Sequence, residues 1–239
     1  MLKTYLPSKA EIDQQYPISS NAQKLIKQFR IEAKNIFNAT DPRIVVFLGP
    51  CSIHDENQIN NYSALVSKLN KEVSSKIFIA LRVFLEKPRS IYGWKGYLQD
   101  PSLNFQYNIL EGIQKSRRIL SEITKKKIPV VTEFLNPILA SYTKDYITWG
   151  VIGSRTSTSQ IHREFASNQD MPIGFKNPLD GSFDDAINSS LSSRTPQSTI
   201  EYDPLNKPYL TTSPGNNYTH VILRGGYSGT NYHKKDISR

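Results

Sequence analysis

Cysteine is almost missing from this 239-residue chain. Cys51 stands alone, so no disulfide can form within the chain, and the expected compartment is the reducing cytoplasm. Long apolar runs are missing as well. Nothing approaches the roughly 20 residues of a membrane helix, and the opening Met1-Leu2-Lys3-Thr4-Tyr5 has no apolar stretch of signal-peptide length. Acidic residues are in deficit, 21 against 30 Lys and Arg, for a net charge of +9. Such a balance invites nucleic acid as a partner. The distribution argues otherwise: the tight basic cluster, Lys125-Lys126-Lys127, closes a predicted helix, where cations complement the dipole. Neither nucleic acid nor membrane is expected as a partner. At 38% hydrophobic, the composition is that of a globular chain able to bury a full-sized core.

Residues 1–42 read as an arm. Leu25, Ile26, Phe29, Ala33, Ile36 and Phe37 recur at helical spacing, making an amphipathic helix that needs a partner surface, and Asp41-Pro42 closes it. From residue 43 to 239 the character changes. Apolar runs of strand length start at Arg43, Ile77, Pro129, Tyr146, Pro172 and His220, and helical patterns separate them. Residues 194–219 interrupt the alternation and read as an inserted hairpin around Thr199-Ile200-Glu201-Tyr202 and Tyr209-Leu210-Thr211-Thr212.

Strands apolar on both faces and alternating with helices indicate a parallel sheet covered by helices. A doubly wound open sheet and a TIM-type (β/α) barrel both fit. The first strand-to-helix loop, Gly49-Pro50-Cys51-Ser52-Ile53-His54-Asp55, has no Gly-x-Gly-x-x-Gly and no Walker pattern, which weakens a nucleotide-binding open sheet.

The barrel is favoured by where polar residues fall. Cys51 follows the first run, Arg82 and Lys87 the second, and Glu133 lies near the end of the third. Arg155 follows the fourth, Lys176 ends the fifth and Arg224 the sixth. In a barrel the C-terminal strand ends converge on one mouth, where active sites lie. A single arginine there is ordinarily an ion-paired loop residue. Five cations at such positions imply a polyanionic ligand, because converging like charges destabilise an empty site. The residues alone therefore point to a barrel with a site for phosphorylated or carboxylated small molecules.

Longer motifs accompany the ring: Gly49-Pro50-Cys51-Ser52-Ile53-His54-Asp55, Glu86-Lys87-Pro88-Arg89-Ser90, Gly93-Trp94-Lys95-Gly96, Gly153-Ser154-Arg155-Thr156, Gly174-Phe175-Lys176-Asn177 and Leu223-Arg224-Gly225-Gly226. In this order they resemble the microbial class I of 3-deoxy-D-arabino-heptulosonate 7-phosphate (DAHP) synthases, transferases of the shikimate pathway that condense phosphoenolpyruvate with erythrose 4-phosphate. The resemblance implies that Arg82, Lys87, Arg155, Lys176 and Arg224 bind phosphoenolpyruvate. It implies that Pro88, Arg89 and Ser90 hold erythrose 4-phosphate, with Ser90 where the family commonly has Thr. Cys51 aligns with a ligand of a divalent metal of the Mn, Fe, Zn or Co type. Lys87 is the candidate proton donor to the developing alkoxide, and Glu133 the candidate to orient water. A homo-oligomer and an aromatic amino-acid effector are implied too, built on the arm and the hairpin; an ordinary capping helix over the barrel bottom is the plainer reading of the arm. His54 and His162 read as structural.

Against the family pattern, six strand–helix units are present and two are not, so the sequence reads as a C-terminally truncated barrel. The metal ligands expected on the seventh and eighth units are absent from this chain. That sets a second function beside the synthase: a catalytically dead homologue that binds phosphorylated metabolites or an aromatic amino acid, or a partner of another subunit.

Overall fold

The computed structural model describes residues 3–227 and 229–234; the last five positions, on which the expected end of the barrel falls, lie outside them. Two helices come first, α1 (Lys9–Gln15) and α2 (Ser20–Phe37). Then β1 (Ile44–Leu48), α3 (Glu56–Val73), β2 (Ile77–Arg82), α4 (Ile109–Lys125), β3 (Val130–Phe134), a short α5 (Pro137–Ala140) and β4 (Trp149–Ile152) follow. The chain continues through α6 (Gln160–Ser167), β5 (Ile173–Lys176), α7 (Asp184–Ser193), the antiparallel hairpin β6 (Ser198–Tyr202) and β7 (Pro208–Thr212), and β8 (Thr219–Ile222).

Six strands form one curled, wholly parallel sheet in the order β1-β2-β3-β4-β5-β8, a half-barrel. The outward face is dry: Ile79, Leu81, Val130, Phe134, Ile152, Ile173 and Phe175 pack with Ile59 and Val66 of α3, Ile113 and Leu120 of α4, and Phe165 of α6. Inward residues form a second cluster. Val45, Phe47, Phe78, Ala80, Val131, Trp149, Val151 and Ile222 meet Leu25, Phe29, Ala33, Ile36 and Phe37 of α2. The amphipathic arm helix thus fills the N-terminal mouth of the curl, the capping role that its sequence allowed. Aromatic rings run from Phe47 to Trp149, to His220 and to Phe37, with centroids 5.3, 5.2 and 5.6 Å apart. Desolvation there pulls the His220 pKa down to about 4.

Two features differ from the sequence expectation. A helix, α1, precedes α2; Ser8 and Glu11 form a reciprocal capping box at its start. The sixth barrel strand begins at Thr219 and stops at Ile222, because its pairing with β5 ends at Lys176↔Ile222, leaving Arg224 in the following loop. Arg117 of α4, on the same helix face as Ile113 and Leu120, is fully buried. Its guanidinium donates to the carbonyls of Tyr142 (2.7 Å) and Tyr16 (3.0 Å) and pairs with Asp13 and Asp145, each at 2.9 Å. No helix among the described residues is long and apolar enough to cross a membrane.

Candidate active site

The two-residue period of a strand decides which side chains reach the mouth. Because Phe78 and Ala80 face inward, Arg82 does too; Val131 carries Glu133, and Gly174 carries Lys176, to the same side. In the parallel register Arg82 pairs with Val131, and Glu133 lines up through Val151 with Gly174, so Arg82, Glu133 and Lys176 step along the C-terminal end of the sheet, where a barrel keeps its chemistry.

There the side chains meet in pairs. Lys176 Nζ donates to Glu133 Oε2 at 2.7 Å. The Arg82 guanidinium and the Lys176 ammonium both lie against the Phe84 ring, at 4.4 and 5.1 Å from its centroid, a cation–π contact that holds two like charges on one apolar support. Lys87 Nζ donates to Cys51 Sγ at 3.0 Å. That hydrogen bond, the nearby Lys87 and Arg82 charges and a hydrogen bond from Ser52 pull the Cys51 thiol below its ordinary pKa, against the opposing effect of burial. Arg155 Nε donates to Ser90 Oγ at 2.6 Å. Arg224 is reached through its backbone, whose N–H donates to Asn177 Oδ1 at 2.6 Å beside Lys176.

Two cation atoms are left over. Arg82 Nε and Arg224 Nη1 are buried with no hydrogen-bond partner among the described residues. A buried donor without an acceptor costs about 1–3 kcal/mol, and two such donors on arginines at one strand-end face suit an anion with several oxygens.

The sequence-predicted residues are not all drawn together equally. Arg89 is exposed and held inside its own loop, Nε donating to the Trp94 carbonyl at 2.7 Å; Pro88 is half-buried beside it. Of the two histidines read as structural, His162 is buried. Its Nε2 donates to the Leu135 carbonyl at 2.8 Å, and its Nδ1 lies 3.0 Å from Ser159 Oγ.

Sequence reasoning passed over Glu86. This carboxylate is 3% exposed and accepts three hydrogen bonds. Burial, the largest influence, pushes its pKa up, against the hydrogen bonds from Leu135, Asn136 and Gln99. The signal in the sequence is an acid closing the apolar stretch Val83-Phe84-Leu85.

A divalent metal on Cys51 does not fit the described residues. Among them no three His, Cys, Asp or Glu side chains converge, Cys51 is met by a lysine, and a catalytic metal takes about three protein ligands.

Known proteins resemble this chain along nearly its whole length. Residues 15–239 match the model of the DAHP synthetase I family. The Trp-sensitive phospho-2-dehydro-3-deoxyheptonate aldolase of Salmonella typhi is 37% identical over 233 residues, which is 98% of this chain and 67% of that protein. The phospho-2-dehydro-3-deoxyheptonate aldolase of Haemophilus influenzae is 37% identical over 226 residues, 95% of this chain and 62% of that one. The structure of phospho-2-dehydro-3-deoxyheptonate aldolase from Francisella tularensis superimposes with a TM-score of 0.96 at 36% identity, covering 99% of this chain and 70% of that one. The chain spans about two thirds of the length of these relatives.

Proposed function

The chain belongs to the DAHP synthetase I family, and on that premise we propose that its mouth binds phosphoenolpyruvate and erythrose 4-phosphate for their condensation to DAHP and phosphate. The observation that carries this is the pair of buried, unpartnered donors on Arg82 and Arg224 beside Lys87, Lys176 and Arg155. Phosphoenolpyruvate offers them a phosphate and a carboxylate on three carbons. The relatives carry the aldolase name, which favours this reading over a catalytically dead binder.

In the reaction, carbon 3 of phosphoenolpyruvate forms a bond to the aldehyde carbon of erythrose 4-phosphate, water adds at carbon 2, and phosphate leaves. Arg82, Arg155, Lys176 and Arg224 hold the phosphate and carboxylate. Lys87 delivers a proton to the alkoxide oxygen as the carbon–carbon bond forms; its contact with Cys51 keeps the ammonium turned into the mouth. Glu133, already an acceptor from Lys176, orients the water. Pro88, Arg89 and Ser90 take the erythrose 4-phosphate, and the Ser90–Arg155 contact places it against the first substrate.

Self-association and an aromatic amino-acid effector belong to the same reading. They are supported by the words "Trp-sensitive" in the Salmonella relative's name and by the cross-strand pair Ile200 and Leu210, both exposed on the hairpin.

Calorimetric titration tests the site. Phosphoenolpyruvate is expected to bind once per chain, and pyruvate, which lacks the phosphate, at least about a hundredfold more weakly. Equal binding of the two would refute the assignment of the cations to a phosphate.

A further inference from the structure

Glu86 lies beneath the mouth, among the loops that carry the candidate site residues, and the proposed reaction gives it no part. Its Oε2 accepts the backbone N–H groups of Leu135 (3.1 Å) and Asn136 (3.2 Å), just past the end of β3. Its Oε1 accepts from Gln99 Nε2 at 3.1 Å, in the far limb of the loop that Glu86 itself begins. The backbone around it is closed: Leu98 N–H donates to the Leu85 carbonyl and Lys87 N–H to the Lys95 carbonyl, each at 2.9 Å. Gly96 packs so tightly that a Cβ there would stand 2.5 Å from Glu86 Cα. From Leu135 the linkage continues, since its carbonyl accepts from His162 Nε2.

The carboxylate therefore joins two loops, and the Leu135 carbonyl links them to a third. The loop after β2 carries Lys87, Pro88, Arg89 and Ser90; the end of β3 carries Glu133, two residues before Leu135; the loop after β4 carries Arg155 and leads to His162. A carboxylate this deep is costly unless its lone pairs are filled, and three N–H donors fill them here. If the loops needed only to be covered, an apolar side chain would do so without that cost. An acceptor that must meet amides of two separate loops fixes their relative position instead.

We propose that Glu86 is a positioning residue for the substrate site, setting Lys87 and Glu133 against each other through the Leu135–Asn136 amides and Gln99. This rests on the reading of the mouth as a phosphoenolpyruvate site.

The substitutions separate position from bulk. In Glu86→Gln the amide oxygen can accept both backbone N–H groups, while Gln99, its amide turned over, accepts from the new NH2 group. In Glu86→Ala all three bonds are lost. Phosphoenolpyruvate is titrated into the full chain as wild type, Glu86→Ala, Glu86→Gln, Gln99→Ala and Arg82→Ala, each well below its own Tm. Glu86→Ala is expected to weaken binding about tenfold or more, Glu86→Gln to stay within about threefold of wild type, and Gln99→Ala to fall between, since small misplacements of binding groups cost heavily.

Wild-type affinity in folded Glu86→Ala, however far its Tm has dropped, would overturn the proposal and leave Glu86 a stability residue. Should Glu86→Ala not fold, Gln99→Ala decides: weakened binding supports the proposal and unchanged binding overturns it. If wild type fails to bind phosphoenolpyruvate, or Arg82→Ala binds as well as wild type, the site reading itself fails and the positioning role with it. If only the Glu86 and Gln99 variants keep full affinity, the positioning role fails alone.

Discussion

Replacing Arg82 with Ala is expected to weaken phosphoenolpyruvate binding by about 30- to 1000-fold, the equivalent of about 2–4 kcal/mol for one charge-assisted partner of a phosphate or carboxylate. The magnitude follows from the side chain's surroundings. Arg82 leaves β2 on the inward face, lies over Phe84 at 4.4 Å, and keeps Nε buried with no acceptor among the described residues. The unbound protein already bears the cost of holding that donor dry, so a ligand oxygen gains the hydrogen bond without a further desolvation cost at Nε. Arg82→Lys separates the contributions: it restores the charge but not the planar fork, and an affinity between those of wild type and Arg82→Ala is expected. Because the guanidinium also packs on Phe84, Tm is measured alongside. A titration in which Arg82→Ala binds like wild type would remove Arg82 from the site.

The second large effect is on stability. Arg117→Ala is expected to cost about 3–5 kcal/mol, the usual cost of removing one member of a buried ionic cluster, and so to lower Tm by about 6–20 °C in a chain of this size. Arg117 is fully buried, whereas Asp13 and Asp145 are 41% and 25% exposed. Once the guanidinium is gone, the carboxylates can recover water; the carbonyls of Tyr16 and Tyr142 lose their donor. Arg117→Met, which refills the space, is accordingly expected to cost about half as much. Since Asp13 and Tyr16 belong to the segment around α1, the loss should appear first as faster amide exchange at residues 9–16, ahead of the sheet. A Tm within about 2 °C of wild type in Arg117→Ala would show that this cluster contributes nothing to holding the arm.

The parallel half-barrel and its inward charges could be read from the sequence because strand runs are short and bounded. Once Phe78 and Ala80 are assigned to the interior, the period places Arg82 without further information, and the same step takes Val131 to Glu133. What stayed hidden depends on partners far apart in the chain. Helix α1 buries a single apolar residue, Ile12, so it shows no periodicity; Asp13 is tied to Arg117, more than a hundred positions away. Glu86 looks like one more loop acid until the amides of Leu135 and Asn136 are seen to converge on it. Where β8 stops was hidden for a similar reason. The apolar run continues to Leu223, and only the end of β5 decides that pairing ceases at Ile222.

The role of α2 shows how one sequence pattern serves two readings. Its stripe of Leu25, Phe29, Ala33 and Ile36 would suit a partner subunit as well as a barrel floor. In the structure the stripe is spent on the inward faces of the strands.

The most direct test of the account is a two-substrate assay on the purified chain with phosphoenolpyruvate and erythrose 4-phosphate. DAHP and inorganic phosphate are measured together. The account expects one DAHP and one phosphate for each phosphoenolpyruvate consumed, and neither product when erythrose 4-phosphate is left out. Phosphoenolpyruvate that binds at the mouth yet remains intact after incubation with erythrose 4-phosphate would contradict it.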